Sequence, residues 1–507
     1  MKVKDHIKTA MIACVLVGFV VHLFAFTNII PNSDGISRIY EEQQMTISGR
    51  WFLNYASMFH GYIQAPALIG ALTLIFTAIA AGMIVDILEI KDQVSAALCG
   101  AFLVVFPSVT YNNLYIFTAS AYAIGAALAV FSVWCYRKYP KYFLVSALAA
   151  ACAMGIYQAY LAFAAALALC CVIKDFLDDN ADIIKSFWNA VKLLGVLILG
   201  IAQYFLILQI FLKVKNLTLW SYRGIDTMGL DGNLIDSLLN TYKEFIAYFV
   251  VPDSVNYITG FFTALHGLLI VLAAAALIQH LIDRRLYREP LRMVLLVISV
   301  GLIPMAFNAI RLLSEMSPNM KHSYVFVYIL AVFLIGKVDR KAWRYALCGI
   351  GMMIVLVCAQ IANIAYTSSA TAHRATESYA TNLVGRIESV SGYNHEMEVV
   401  IIGGFPKETY YNGVEAFKIV EHYSCMSSNV VPLNKHIYYY LNDWLNVPWQ
   451  EPDEEIMIAV AESEEFKSMP LYPDDGSVKI IDGRVVVKIA ESYTPKSEFE
   501  IQYENRR

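Results

Sequence analysis

Charge is scarce in this chain. Of its 507 residues, 16% are Asp, Glu, Lys or Arg and 58% are apolar, a balance that excludes an ordinary soluble protein. Cysteine is placed so that the polar part cannot hold a disulfide framework: eight of nine lie in or beside apolar runs, leaving Cys425 alone in the C-terminal stretch. No Walker loop, dinucleotide fingerprint, serine-hydrolase elbow or metal-ligand spacing occurs. The missing nucleotide cradle argues against an ATP-driven pump and against a cytoplasmic nucleotide-sugar transferase. An internal repeat with paired broken helices, the mark of many carriers, is also absent. The C-terminal stretch is mildly acidic and has no basic patch for nucleic acid.

Present instead are apolar runs near the length that crosses a hydrocarbon core of about 30 Å, recurring from Thr9 to the neighbourhood of Tyr366. The chain therefore reads as a polytopic α-helical membrane protein over residues 1–367, followed by a small α+β domain over 368–507. The first run, 9–30, follows Lys2, Lys4 and Lys8 but is too long for a signal peptide and lacks a small-residue cleavage site. Basic residues gather in the N-terminus and in 136–142, 283–292 and 337–344, which should face the cytoplasm. Stretch 143–173 is long for one crossing and short for two. Breaking it at Gly155-Ile156-Tyr157-Gln158 puts every basic loop inside, giving about eleven spans with the N-terminus in and the C-terminus out.

The long polar loops then share the outer side: 31–61, a tiny turn at 111–113, 213–256, 311–321 and the C-terminal part. Loop 31–61 should carry one or two interfacial helices, with Ile36, Ile39, Tyr40, Ile47, Trp51 and Phe52 on the apolar face. Arg38, Glu41, Glu42 and Arg50 lie on the polar one. Trp51 and Tyr55 suit the headgroup level. Asp34 would start such a helix, where it reads either as an N-cap or as a reactive carboxylate. In 213–256, Arg223 within Trp220-Ser221-Tyr222-Arg223-Gly224 reads as a fork for phosphate or as an interfacial anchor. The apolar piece 245–251, ended by Pro252, is short for a span and reads as interfacial or re-entrant. Arg311, Glu315, Lys321 and His322 cluster between two spans; Lys321 and His322 could clamp a lipid-linked phosphate or snorkel to the headgroups. His22, His266, Gln158, Gln203, Gln209, Asn308 and Gln360 line a cavity or bond neighbouring helices. In the C-terminal part, 398–403 and 456–460 read as strands, 436–445 as helix, and 477–489 as a hairpin about Asp482-Gly483.

Asn32-Ser33-Asp34 after the first span, then Arg38, Ser48-Gly49-Arg50-Trp51, Gly155-Ile156-Tyr157-Gln158-Ala159 and the step Met469-Pro470-Leu471-Tyr472-Pro473 before the hairpin, form one pattern. It resembles the serotype-converting O-antigen glucosyltransferases of the second type. The resemblance implies a bacterial inner-membrane enzyme of the GT-C class, moving one sugar, typically glucose, from a polyprenyl-phosphate carrier to an extracytoplasmic envelope glycan. No cofactor is expected, and no metal is required if cations hold the phosphate. Members often carry two adjacent acids after the first span, whereas Gly35 follows Asp34 here, so Glu41 or Glu42 would supply the second. Asp34 would take the acceptor's proton in an inverting attack. Arg38, Arg50, Arg223, Arg311, Lys321 and His322 would hold the phosphate, and Trp51, Tyr222, Tyr157 and Gln158 would serve the interface or the sugar. Asp34, Arg38 and at least one of Arg223 and Lys321 should face one cavity. A polysaccharide polymerase or ligase, which moves a whole glycan, and a lipid-sugar flippase are the other readings.

Overall fold

The computed structural model describes residues 3–32, 34–36, 39–219, 234–251, 257–312, 316–405 and 434–495. Two compact units divide them: Met1–Ile29 with Tyr40–Tyr366, and Ile30–Ile39 with the chain from Thr367 onward.

Eight helices among the described residues are long and apolar enough to cross a membrane; seven lie in the first unit, and the last begins there and ends in the second. They are α1 (Asp5–Thr27), α3 (Pro66–Leu88), α4 (Gln93–Val105) continued by α5 (Pro107–Leu114), α6 (Ile116–Lys138), α9 (Ile183–Val214), α11 (Tyr257–Asp283), the segment ending in α14 (Val325–Gly336), and α15 (Lys341–Glu388). The helix α2 (Leu53–Ser57) is a single short turn, and α12 (Pro290–Gly301) and α13 (Ile303–Phe307) are short as well. Stretch 143–173 does break: α7 (Phe143–Ile156) ends, Tyr157 is extended (φ −157°, ψ 124°), and α8 (Tyr160–Phe176) begins. The α1–α4 contact is close enough that a Cβ on Gly100 would stand 2.1 Å from the Ala10 carbonyl oxygen.

Two expectations are corrected, at 111–113 and at Asp34. Residues 111–113 are not a turn but lie in α5, whose eight residues are all buried. Their polarity mimics a loop, yet the side chains point into packed protein. The piece 245–251 forms the end of α10 (Leu234–Val250), a helix of 17 residues with Phe245 and Phe249 buried, which is not among the eight long enough to cross. Asp34 starts no helix; it stands in a turn over 34–36. The short helical turns of the loop come later, at Thr46–Ser48, α2 and Met58–His60.

The basic segments are stitched together. Lys4 and Lys138 share Asp86 (3.6 and 3.0 Å), Lys174 pairs with Glu89 (3.0 Å), and Arg137 holds Asp175 through two bonds (2.5 and 2.6 Å). Arg284 pairs with Asp179 (3.1 Å), Arg292 donates to the Asp178 and Ala181 carbonyls, and His280 lies 3.1 Å from the Leu177 carbonyl. With the Gln279 amide oriented to accept, Arg340 donates to it at 3.1 Å. These contacts gather the N-terminus and 136–142, 283–292 and 337–344 at one end of the unit.

The second unit is a sheet between helices. Its order is β1 (Val399–Ile402), β3 (Arg484–Lys488), β2 (Val478–Ile481), with β1 parallel and β2 antiparallel to β3. Asp482 and Gly483 both have positive φ (48° and 76°), the geometry of a type I′ hairpin turn. Alternation sends Val399, Ile401, Val485 and Val487 to the face covered by α15 and α16 (Asn434–Leu445). Val400, Ile402 and Val486 go to the face covered by α17 (Glu454–Glu462) and α18 (Glu464–Lys467). Helix α17 corrects the strand expected at 456–460. Ile456, Met457, Val460 and Ala461 share one helical face, and Glu454 and Glu455 favour the helix N-terminus. A further apolar residue completes this core from far away: Ile36, fully buried, packs with Ala372, Ala380, Ile437 and Leu441.

Candidate functional site

In the first unit the loop after α1 is folded onto the break between α7 and α8. Glu41 N–H donates to the Tyr62 carbonyl (2.9 Å) and Phe52 N–H to the Gly155 carbonyl (2.8 Å). The turn at Thr46–Ser48 ends at Gly49 in the left-handed region, φ 78°. A Cβ there would stand 2.5 Å from both Gln158 Nε2 and the Tyr204 hydroxyl oxygen. Gln158 Nε2 donates to the Ser48 carbonyl (2.8 Å) and to the Tyr204 hydroxyl (3.2 Å), and that hydroxyl donates to the Gly49 carbonyl (3.1 Å). A helix break thus leaves Gln158 free to seize a loop backbone.

That clamp fixes the two residues that follow Gly49. The Arg50 guanidinium lies 4.7 Å from the Tyr157 ring centroid, and Tyr157 stacks on Tyr122 at 5.0 Å. A guanidinium is planar and can lie flat over an aromatic face. Trp51 turns inward: it is buried against Ala151, Met154, Tyr204 and Leu208 and stacks on Phe211 at 5.7 Å. It is therefore a core ring and not a headgroup-level anchor, whereas Tyr55 is exposed. Ser317 donates to Asn319 Oδ1, and Ser108 of α5 donates to the Pro318 carbonyl (2.6 Å), tying the segment before α14 to α5.

The other candidates have separate surroundings. Arg311 is engaged by Glu244 (Nε to Oε1, 2.6 Å). The Lys321 ammonium lies 5.9 Å from the Tyr248 ring centroid. His322 is buried, 4.7 Å from Phe163 between ring centroids, with Nε2 at 3.4 Å from the Leu103 carbonyl. Glu42 is exposed and accepts from Gln44 (2.6 Å), and its backbone carbonyl accepts from Asn54 (2.5 Å). Burial, then the neighbouring Glu42 charge, raise the Tyr62 phenol above its ordinary range. Asp34 belongs to the second unit and is exposed. Arg38, Tyr222, Arg223 and Glu315 lie outside the described residues. Among the described residues, no group of three His, Cys, Asp or Glu side chains could hold a metal ion.

Tyr204, Tyr122, Ser317 and Glu244 were not among the sequence candidates. For Tyr204 a signal existed. The buried residues of α9 run Leu193, Val196, Leu197, Gly200, Tyr204, Leu208, Leu212, so helical spacing selects Tyr204 over its neighbour Gln203.

A profile of the family described as Glucosyl transferase GtrII matches residues 23–335. No curated protein and no solved structure matches the chain. The matched stretch is well over half of the sequence and takes in the end of α1, the Ser48–Trp51 loop and the break that holds it. The chain belongs to the GtrII family and is a membrane glucosyltransferase.

Proposed function

We propose that the protein moves a single glucose from a polyprenyl-phosphate carrier to an extracytoplasmic envelope glycan, with inversion, on a GT-C framework and without a metal. The observation that carries this reading is Arg50: a guanidinium held over Tyr157, beside a helix break, by a loop whose backbone Gln158 and Tyr204 clamp. A fixed cation of this kind suits a phosphate whose charge grows as the glycosidic bond breaks. The acceptor hydroxyl oxygen bonds to the anomeric carbon. The anomeric carbon–oxygen bond to the phosphate breaks with its electron pair on that oxygen, and the hydroxyl proton passes to the Asp34 carboxylate. Arg50, with Arg38, Arg223, Arg311, Lys321 and His322 as further candidates, takes up the leaving phosphate. Glu41 or Glu42 is the second acid. The carrier's isoprenoid tail lies between helices, within the hydrocarbon. The donor carries the driving force, so no nucleotide is consumed.

The gathering of all basic segments at one end of the first unit supports a cytoplasmic assignment for that end, because basic loops are retained inside. Chemistry then belongs to the other side of what is read as an inner membrane. The test is to incubate the purified protein with polyprenyl-phosphate sugars and cell-envelope glycans, with Asp34→Asn alongside. A glycan product heavier by one hexose is expected from the wild type and none from the variant. Retained transfer by Asp34→Asn removes Asp34 as the base, and transfer of a whole glycan favours a polymerase.

A further inference from the structure

The Asp34 turn is built into the C-terminal unit. Gly35 N–H donates to the Asn32 backbone carbonyl (2.9 Å) and side-chain carbonyl (2.7 Å), which closes the turn from the upstream side. Downstream, the Ile36 side chain is fully buried among Ala372, Ala380, Leu383, Ile437 and Leu441. The Ile36 carbonyl accepts the indole N–H of Trp444 at 3.0 Å. The Trp444 ring lies parallel to Tyr440 (10° between planes, centroids 6.3 Å apart) and edge-on to His373 at 5.3 Å. An exposed carboxylate on a loop has no fixed place of its own. Here one residue separates it from a buried side chain and a buried-edge hydrogen bond.

We propose that Trp444 is a positioning residue for glucosyl transfer: through the Ile36 carbonyl it holds the 34–36 turn, so that the C-terminal unit sets where the Asp34 carboxylate stands. The inference rests on the reading of Asp34 as the base. Displacement of a reacting group by about 1 Å costs up to about a hundredfold in rate, and a slackened tether loses part of that. Positioning is felt in turnover, whereas donor affinity resides in other residues.

The experiment uses the full-length protein in detergent, radiolabelled polyprenyl-phosphate glucose and a cell-envelope glycan preparation. Initial rates give kcat and donor KM for the wild type, Trp444→Phe, Trp449→Phe and Asp34→Asn. Trp444→Phe keeps an aromatic side chain but loses the N–H and part of the indole's bulk; kcat should fall about tenfold with KM within about twofold. Trp449 is buried in the same core, with its backbone carbonyl bonded to Asn442, and its Phe variant should turn over like the wild type. Ile36→Val slackens the same socket by one carbon and should lower kcat about threefold, which keeps the test open if Trp444→Phe fails to fold. Wild-type kcat in Trp444→Phe or Ile36→Val beside an inactive Asp34→Asn overturns the positioning role and leaves the base assignment standing. So does a loss no larger than that of Trp449→Phe, or one confined to KM. An active Asp34→Asn overturns the base assignment itself and the inference with it.

Discussion

At the scale of single residues, the site depends on what one loop backbone lets its neighbours do. Gly49→Ala would force a left-handed conformation on a residue with a Cβ and drive that Cβ into Gln158 and Tyr204. We expect a loss of about 1–3 kcal/mol of stability, read as a lower unfolding midpoint in detergent, together with lost transfer activity. Arg50→Lys should leave the midpoint unchanged and cut transfer by about tenfold or more, because an ammonium cannot lie flat on Tyr157 and fork a phosphate at once. His60 supplies a pH handle. Buried beside the Ser120 hydroxyl at 3.0 Å, it is pulled down from 6.5 to about 4 and is neutral in the fold. The unfolded chain takes up its proton at the ordinary value, so this contribution is whole above pH 6.5 and is lost as pH falls toward 4. His60→Asn should flatten the acid side of a stability profile measured over that window.

At the scale of elements, short-range chemistry was legible and burial was not. The break at Tyr157 follows from a stretch too long for one crossing and interrupted by Gly155 and Gln158, and the Asp482-Gly483 hairpin from one of the few residue pairs that favour its turn. Residues 456–460 were misread because a short apolar run satisfies both periods; flanking glutamates and the pairing of Met457 with Val460 decide for helix. Residues 111–113 were misread because Tyr-Asn-Asn looks like a loop wherever its surroundings are unknown. Close helix contact also has no sequence signature beyond a small residue. Gly100→Ala should push α1 off α4, since the new carbon meets backbone, which cannot rotate away. Overpacking of this kind costs about 1–3 kcal/mol and would appear as reduced monodisperse protein on heating.

At the scale of the whole molecule, composition and charge bias announced a membrane domain and a polar C-terminal part, but not how the chain is shared between the two units. Local patterns carry no record of a partner 408 residues away, the separation of Ile36 and Trp444. The topology argued from basic loops has a direct test. With the half-buried native thiols Cys152 and Cys348, and Cys425 of the C-terminal stretch, changed to serine, a cysteine at Lys141 should react with an impermeant maleimide only when the cytoplasmic face is exposed. Cysteines at Asn54 and Asp474 should react from outside intact cells. Labelling of all three from one side would refute the orientation.

That separation of 408 residues also sets an order of events during biosynthesis. At roughly 5–20 residues per second, a ribosome needs roughly 20–80 s to proceed from Ile36 to Trp444. Throughout that interval the nascent chain lacks the Trp444 indole that the Ile36 carbonyl accepts from. A chain cut short before Trp444 would leave the 34–36 turn without that bond, so under the role proposed for Asp34 no truncated product would be active.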